Sequence, residues 1–132
     1  MDTDGSMITP WGRLTVKIGA AGLRRVRFDG PEAPPLTGEW AAAFDAYLRG
    51  EDVFGKMPVD LTSVPPFTRR VLDACREIHF GTVLTYRDLA ERLGCPRGSR
   101  AVGQALARNP VPVVIPCHRV LGARGALTGF LG

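Results

Sequence analysis

The chain lacks the features that mark a disulfide scaffold, a cysteine-rich zinc site or a membrane protein. Its 132 residues contain three cysteines, Cys75, Cys95 and Cys117, which form no CxxC pair and leave one thiol over from any disulfide. No apolar run approaches the roughly 20 residues that a membrane-spanning helix needs. Residues 1–12 include two acids and no hydrophobic stretch, unlike a secretory signal. We therefore expect a cytoplasmic protein that binds no membrane, no metal and no cofactor.

Lysine is scarce throughout the chain, and acidic residues are scarce late in it. Fifteen of the 17 basic residues are arginine, and six arginines but no acid follow Glu91. Residues 1–61 carry seven basic and nine acidic side chains, whereas residues 62–132 carry ten basic and four acidic ones. This asymmetry favours a polyanion partner for the second half. On charge alone, a solvated surface rich in arginine explains it equally well.

The first half has the pattern of a small α/β unit. Residues 15–18 and 23–28 alternate in polarity and are joined by a short glycine-containing turn, which predicts a β-hairpin. Apolar residues recur at helical spacing over residues 40–48, and residues 53–61 are consistent with an edge strand. The proline pair at Pro65 and Pro66 indicates a boundary near residue 62, which divides the chain into domains 1–61 and 62–132.

The second half begins with helices. Residues 67–78 have an apolar helical stripe that includes Cys75, so this cysteine is expected to be an inert core thiol. Thr85 and Asp88 have the spacing of a capping box, and a short helix follows them. Ser99 is expected to cap a second helix that ends near Arg108. Two short helices separated by a tight turn have the outline of a helix-turn-helix, although many helical hairpins share that outline.

An apolar segment leads into the most reactive residues of the sequence. Residues 111–116 are nearly all apolar and are predicted to form a buried strand that ends at Cys117. A nucleophilic cysteine needs help from a nearby basic or cationic group to lose its proton, and His118 and Arg119 are adjacent in sequence. Because neighbours on a strand point to opposite faces, His118 would act through a water or from a bent backbone. The alternative is a buried cysteine beside a surface histidine. His79 is interpreted as a structural or capping residue.

Three segments in order carry a specific resemblance. They are Thr-Tyr-Arg-Asp-Leu-Ala at residues 85–90, Arg-Ala-Val-Gly at 100–103 and Pro-Cys-His-Arg-Val at 116–120. Together they resemble the O6-alkylguanine-DNA alkyltransferases, also called methylated-DNA–protein-cysteine methyltransferases. The resemblance implies an RNase H-like α/β subdomain at residues 1–61. It implies a winged helix-turn-helix subdomain, which binds DNA and accepts the alkyl group, at residues 62–132.

The same resemblance implies the activity and its chemical residues. Cys117 matches the acceptor that takes an alkyl group irreversibly from O6-alkylguanine, and from O4-alkylthymine, in double-stranded DNA. His118 matches the base that draws the thiol proton through a water. Asn109 matches a hinge asparagine that orders the active-site loop. The implied protein is a monomer that binds the minor groove and flips the damaged nucleotide out of the helix.

Further positions match the family's DNA contacts and base pocket. Arg100 matches an arginine that replaces the extruded base in the stack, and Tyr86 matches a tyrosine that helps to turn that nucleotide out. The alternatives are a solvated helix arginine and a core or capping tyrosine. The positions expected to bind DNA are Tyr86, Arg87, Ser99, Arg100, Ala101 and Gly103. The positions expected to line the base pocket are Pro112, Val120, Phe130 and Leu131.

Two departures from the family pattern leave alternatives open. Family members usually continue into a final helix whose glutamate orients the histidine, and this sequence ends at Gly132. A truncated or processed form, slow or inactive, is the resulting expectation. Phe130 stands where the family often has tyrosine. One alternative is a non-catalytic alkyltransferase-like protein that binds lesions, although such proteins lack the reactive cysteine. A winged-helix transcription regulator is a third class, but it does not explain Cys117 and His118 behind an apolar segment.

Overall fold

The computed structural model describes residues 2–79 and 81–121. The chain forms two compact units, here called unit 1 and unit 2, and passes from one to the other between Leu61 and Thr62. In these described ranges, no helix has the length and hydropathy needed to cross a membrane. The described residues combine a small antiparallel sheet with four α-helices, an α/β content.

Unit 1 is built on a three-stranded antiparallel sheet. Its strands are β1 (Thr3–Thr9), β2 (Gly12–Gly19) and β3 (Gly22–Phe28), in the order β1-β2-β3. The predicted hairpin of residues 15–28 is confirmed as β2 and β3. A Cβ atom on Gly22, whose φ is 135°, would lie 2.5 Å from the Pro58 carbonyl oxygen, so this turn requires glycine.

The prediction of an edge strand over residues 53–61 is wrong, because only Val59 pairs with the sheet. A single bridge joins Leu23 to Val59 in a parallel sense, with bonds from the Leu23 amide to the Pro58 carbonyl and from the Asp60 amide to the Leu23 carbonyl. Pro58 has no N–H to continue a ladder, and the residues before it form a turn. The segment therefore follows the sheet at one point only.

An aromatic cluster fills the core beside helix α1 (Gly38–Leu48). Trp40, Phe44 and Phe54 are buried, and the Phe54 ring centroid lies 5.0 Å from that of Phe44 and 6.3 Å from that of Trp40. Such aromatic pairs stabilise a core beyond the area they bury. Leu48, which the helical pattern placed on the same stripe, is 37% exposed at the end of the helix.

Unit 2 is mainly helical. Three of its helices pack together, and two short parallel strands pair beside them. The elements are α2 (Pro66–Cys75), β4 (Leu84–Thr85), α3 (Tyr86–Arg92), α4 (Ser99–Ala107), a 3₁₀ turn (Cys117–Arg119) and β5 (Val120–Leu121). Helix α2 ends three residues before the predicted end at residue 78, although Ile78 itself is buried.

The two helix starts differ in how well the sequence predicted them. The capping box is confirmed: the Thr85 hydroxyl accepts from the Asp88 amide, and the Asp88 carboxylate accepts from the Thr85 amide, both at 3.0 Å. The Ser99 cap is wrong, because Gly98 is the N-cap and Ser99 is already helical. A Cβ atom on Gly98 would lie 3.0 Å from the Cys95 carbonyl oxygen, so the chain enters α4 through a tight turn.

The predicted buried strand at residues 111–116 is also wrong. The segment is a tight loop, in which the Ile115 amide bonds the Val111 carbonyl and Val113 has a φ of 76°. Pro112 and Pro116 have no N–H to give to a ladder, which explains why the segment turns instead of pairing. Val111 and Ile115 are nonetheless fully buried, so the loop has the same apolar pattern as a buried strand.

Candidate functional site

Cys117 begins the 3₁₀ turn, and the loop before it is fixed by one side chain. The Asn109 amide nitrogen donates to the Ile115 carbonyl at 3.0 Å, and its oxygen accepts from the Val111 amide at 2.9 Å. Asn109 also hydrogen-bonds the thiol of Cys117. One half-buried asparagine therefore shapes the loop and contacts the sulfur that the loop presents.

The surroundings of Cys117 keep its sulfur protonated at rest. The thiol is 7% exposed, and this burial raises its pKa because a thiolate loses its hydration. Hydrogen bonds from Asn109 and from the backbone amides of Cys117 and His118 act in the opposite direction, but burial is the larger effect. Those same donors can stabilise a negative sulfur once its proton has left.

The surroundings of His118 favour its neutral form. Burial lowers the pKa of this half-buried imidazole, and the positive charge of Arg119 lowers it further. The ring is therefore neutral at neutral pH, the form in which histidine acts as a base. Cys117 and His118 lie on a 3₁₀ turn, so the argument that strand neighbours face opposite sides does not apply to them.

Arg119 makes a long-range contact that the sequence did not predict. It is 9% exposed, and its Nη1 atom donates to the Ile78 carbonyl, 41 residues earlier in the chain. Its charge acts on Cys75, which is fully buried and whose pKa burial raises. Cys75 is thus the inert core thiol that was expected. An arginine inside a run of otherwise buried residues was the available signal.

Strand pairing brings the tyrosine segment to the segment that carries the cysteine. Val120, which follows the 3₁₀ turn, pairs with Leu84, and Tyr86 begins α3 two residues later. The Tyr86 ring packs on α4 at Gly103. The contact is so close that a Cβ atom on Gly103 would lie 3.0 Å from the Tyr86 Cε2 atom. The small size of Gly103 therefore admits Tyr86, a contact that sequence reasoning did not anticipate.

Helix α4 presents a polar face with small side chains. Arg100 and Ala101 are exposed, Ser99 is half-buried, and Val102 faces the core. On α3, Arg87 is exposed and pairs with Glu91 at 3.3 Å. A surface ion pair of this kind contributes little, so a phosphate can replace the carboxylate at small cost.

The expected base-pocket residues are only partly described. Val120 is buried and Pro112 is half-buried in the loop before Cys117. Phe130 and Leu131 lie outside the described residues. Among the residues that are described, no group of three His, Cys, Asp or Glu side chains could hold a metal ion.

Comparison with known proteins gives consistent similarities. Residues 66–132 match the family model described as "6-O-methylguanine DNA methyltransferase, DNA binding domain". The chain is 34% identical to the methylated-DNA–protein-cysteine methyltransferase of Haemophilus influenzae, over 94% of this chain and 75% of that relative. It is 41% identical to the same-named protein of Mycobacterium leprae, over 74% of this chain and 61% of that relative.

A solved structure is similar over nearly the whole chain. The Mycobacterium tuberculosis OGT in complex with DNA superposes with a TM-score of 0.82 and 31% identity. That match covers 96% of this chain and 82% of the other.

Proposed function

Because the chain belongs to the 6-O-methylguanine DNA methyltransferase family, we propose that it repairs DNA by transferring the alkyl group of O6-alkylguanine to the Cys117 sulfur. The observation that carries this proposal is the buried thiol of Cys117, hydrogen-bonded by Asn109 and followed by a neutral histidine. Such a thiol stays unreactive until a substrate and a base act on it together.

The reaction is a single displacement. His118 takes the thiol proton through a water, and the sulfur attacks the alkyl carbon. The new S–C bond forms as the C–O6 bond breaks, and the electron pair of that bond goes to guanine O6. The guanine then takes up a proton and returns to its normal form. Since the thioether at Cys117 is stable, each chain reacts once.

DNA recognition is assigned to unit 2. A substituent on guanine O6 lies within the base pair, so the nucleotide must leave the stack before the sulfur can reach it. The exposed Arg100 fills the vacated position, and Tyr86, fixed against Gly103, contacts the turned-out nucleotide. The exposed Ala101 allows α4 to approach closely, and we assign α4 to the minor groove, where readout of sequence is weak.

The remaining assignments complete the proposal. Asn109 holds the active-site loop, while Pro112 and Val120, with Phe130 and Leu131, line the base pocket. We assign the RNase H-like architecture to residues 1–61 and the winged helix-turn-helix to residues 62–132. The protein acts as a cytoplasmic monomer, and O4-alkylthymine is a second substrate of the same site.

Intact-mass measurement tests this function. The chain is mixed with a duplex that contains one O6-methylguanine, and we expect a mass gain of one methyl group that is lost in Cys117→Ser. The matched control is Cys95→Ser, which removes the half-buried thiol before α4 and should leave the gain in any folded protein. An unmodified wild-type chain that still binds the lesion would contradict the proposal and support the non-catalytic alternative.

Comparing two substrates tests the role of Arg100. Arg100→Ala should slow repair of duplex DNA far more than reaction with a free benzylguanine-type base, because only the duplex requires flipping. Arg108→Ala, which removes a charge at the other end of α4, is the control and should affect the two substrates similarly. Equal losses on both substrates in Arg100→Ala would contradict the assignment.

A further inference from the structure

The outer face of the unit 1 sheet concentrates positive charge. Lys17 on β2 lies directly opposite Arg25 on β3, and Arg27 lies opposite Thr15. Residues two apart on a strand, and residues opposite each other on neighbouring strands, point to the same face. Lys17, Arg25 and Arg27 are all exposed there. Unit 1 has more acidic than basic residues, so this face differs in sign from the unit as a whole.

These three cations differ from the neighbouring arginines in having no carboxylate partner among the described residues. Arg13 pairs with Glu32 at 3.3 Å, and Arg24 pairs with Asp2 at 3.1 Å and with Asp60 at 3.7 Å. Like charges placed directly opposite each other destabilise a sheet. Asp4 on β1 lies directly opposite Lys17 on its other side but forms no ion pair with it, so it offsets only part of the Lys17–Arg25 repulsion, and a bound anion would relieve the rest.

The same side chains line a cleft. It has a volume of about 130 Å³, and its walls are Asp4, Thr15, Val16, Lys17, Arg25, Arg27 and Pro31. The Thr15 hydroxyl donates to the Pro31 carbonyl at 2.8 Å, which holds the loop after β3 across the sheet as one wall. Three cations face one carboxylate, so the cleft favours an anion.

We propose that this basic cleft binds phosphates of a DNA backbone, as a contact on unit 1 additional to α4. The inference rests on the proposed function, which makes DNA the anion the protein meets. Arg25 and Arg27 are two residues apart, about 6.7 Å along the strand. That distance is about the through-space separation of successive phosphates in one DNA strand, of which the roughly 3.4 Å rise per nucleotide is only the component along the helix axis. Arginine also suits phosphate, because its fork can donate two parallel hydrogen bonds.

The salt dependence of binding tests this proposal. Affinity for an undamaged duplex of 30 base pairs is measured by fluorescence anisotropy at several salt concentrations, with the full chain. Each phosphate contact contributes about 0.9 to the slope of log affinity against log salt. Lys17→Gln/Arg25→Gln should therefore reduce the slope by about two, and adding Arg27→Gln should reduce it by about one more.

A matched pair of substitutions provides the control. Arg49→Gln/Lys56→Gln removes the same charge from two exposed positions of unit 1 that do not line the cleft. We expect its slope to stay within about half a unit of the wild type, since long-range effects are screened by salt. Equal slopes for the two double variants would overturn the proposal.

Two further measurements separate this inference from its alternatives. Alkyl transfer to Cys117 from a free benzylguanine-type base should be unchanged in Lys17→Gln/Arg25→Gln, which shows that the variant is folded. If wild-type transfer fails while the slope still falls, the proposed function fails and the cleft remains a DNA contact. If the variant instead loses binding to phosphatidylserine vesicles with an unchanged DNA slope, the cleft is a lipid site and the proposal is wrong.

Discussion

The two units place their polar side chains in different ways. In unit 1, the Ser6 hydroxyl holds a loop to the sheet through the Ala33 carbonyl, and the ion pairs lie at or near the surface. In unit 2, half-buried Asn109 and buried Arg119 hold the segments on either side of the reactive cysteine. Polar contacts in unit 1 therefore stabilise a scaffold, whereas those in unit 2 flank the cysteine to which the proposed function assigns the chemistry. Matched substitutions in the two units test this difference.

The largest effect is expected at His118, the proposed general base. His118→Gln should slow alkyl transfer from a free benzylguanine-type base by about 10²- to 10⁴-fold near neutral pH, the usual contribution of a general base. His79→Gln changes the exposed second histidine of unit 2 and should stay within a few-fold of the wild type. Comparable rates in both variants would remove His118 from the mechanism.

The pH profile sharpens the same assignment. Since burial lowers the pKa of His118 below its ordinary 6.5, the wild-type rate should fall at low pH with its midpoint below pH 6.5. Folding favours the neutral form of His118. The contribution of this residue to the free energy of unfolding is therefore also lost as the pH falls below 6.5. In His118→Gln the rate should keep rising beyond pH 9, because burial raises the pKa of Cys117 above its ordinary 9.0.

Asn109→Ala should give the next largest effect. It leaves the Ile115 carbonyl and the Val111 amide without this partner and should lower the free energy of unfolding by about 1–3 kcal/mol. Transfer to Cys117 should slow at least about tenfold, because the loop and the thiol lose their common donor. Stopped-flow transfer and urea unfolding measure the two effects.

Ser6→Ala is the matched change in unit 1. It removes one 2.7 Å hydrogen bond to the Ala33 carbonyl and should lower the free energy of unfolding by about 0.5–1.5 kcal/mol. The transfer rate of the folded protein should not change. A slower reaction in Ser6→Ala would show that unit 1 does more than provide a scaffold.

Among the substitutions in unit 2, the smallest effect on the rate is expected at Gly103. In Gly103→Ala the new Cβ atom would press on the Tyr86 ring at 3.0 Å. Duplex repair should slow by a few-fold, while reaction with the free base should not change. In a Tyr86→Ala background the same substitution should stabilise the protein by about 0.5–1 kcal/mol, since alanine is the better helix former. Thermal unfolding of the wild type, Gly103→Ala, Tyr86→Ala and the double variant measures these changes in stability.

Gly5→Ala is the corresponding control in unit 1. Its Cβ atom would meet the Leu36 side chain at 2.8 Å, so it should destabilise the protein. The ratio of duplex to free-base rates should nevertheless stay at the wild-type value. A shift in that ratio would argue against assigning DNA recognition to the Tyr86–Gly103 contact.

Local patterns in the sequence predicted the parts of the fold that depend on local chemistry. The capping box at Thr85 and Asp88 and the hairpin of β2 and β3 follow from neighbouring residues, and both are confirmed. The loop before Cys117 was missed because buried loops and buried strands share an apolar pattern. Only the prolines at 112 and 116, as missing donors, distinguish the two.

Long-range contacts at the site could not be predicted in this way. The bond from Arg119 to the Ile78 carbonyl spans 41 residues, and the two-residue strands β4 and β5 have no periodicity to detect. The packing of Tyr86 on Gly103 depends on the angle between two helices, which the residues of one helix do not determine. Sequence resemblance suggested roles for Cys117 and Asn109, whereas the structure supplies the bonds between them.

The most direct test is to locate the transferred group among the three thiols. After reaction with a duplex containing O6-methylguanine, the wild-type chain is digested and its cysteine peptides are analysed by tandem mass spectrometry. We expect one methyl group per chain, on Cys117, with Cys75 and Cys95 unmodified. Methylation of Cys95 in place of Cys117, or a Cys117 peptide that stays unmodified, would contradict the account.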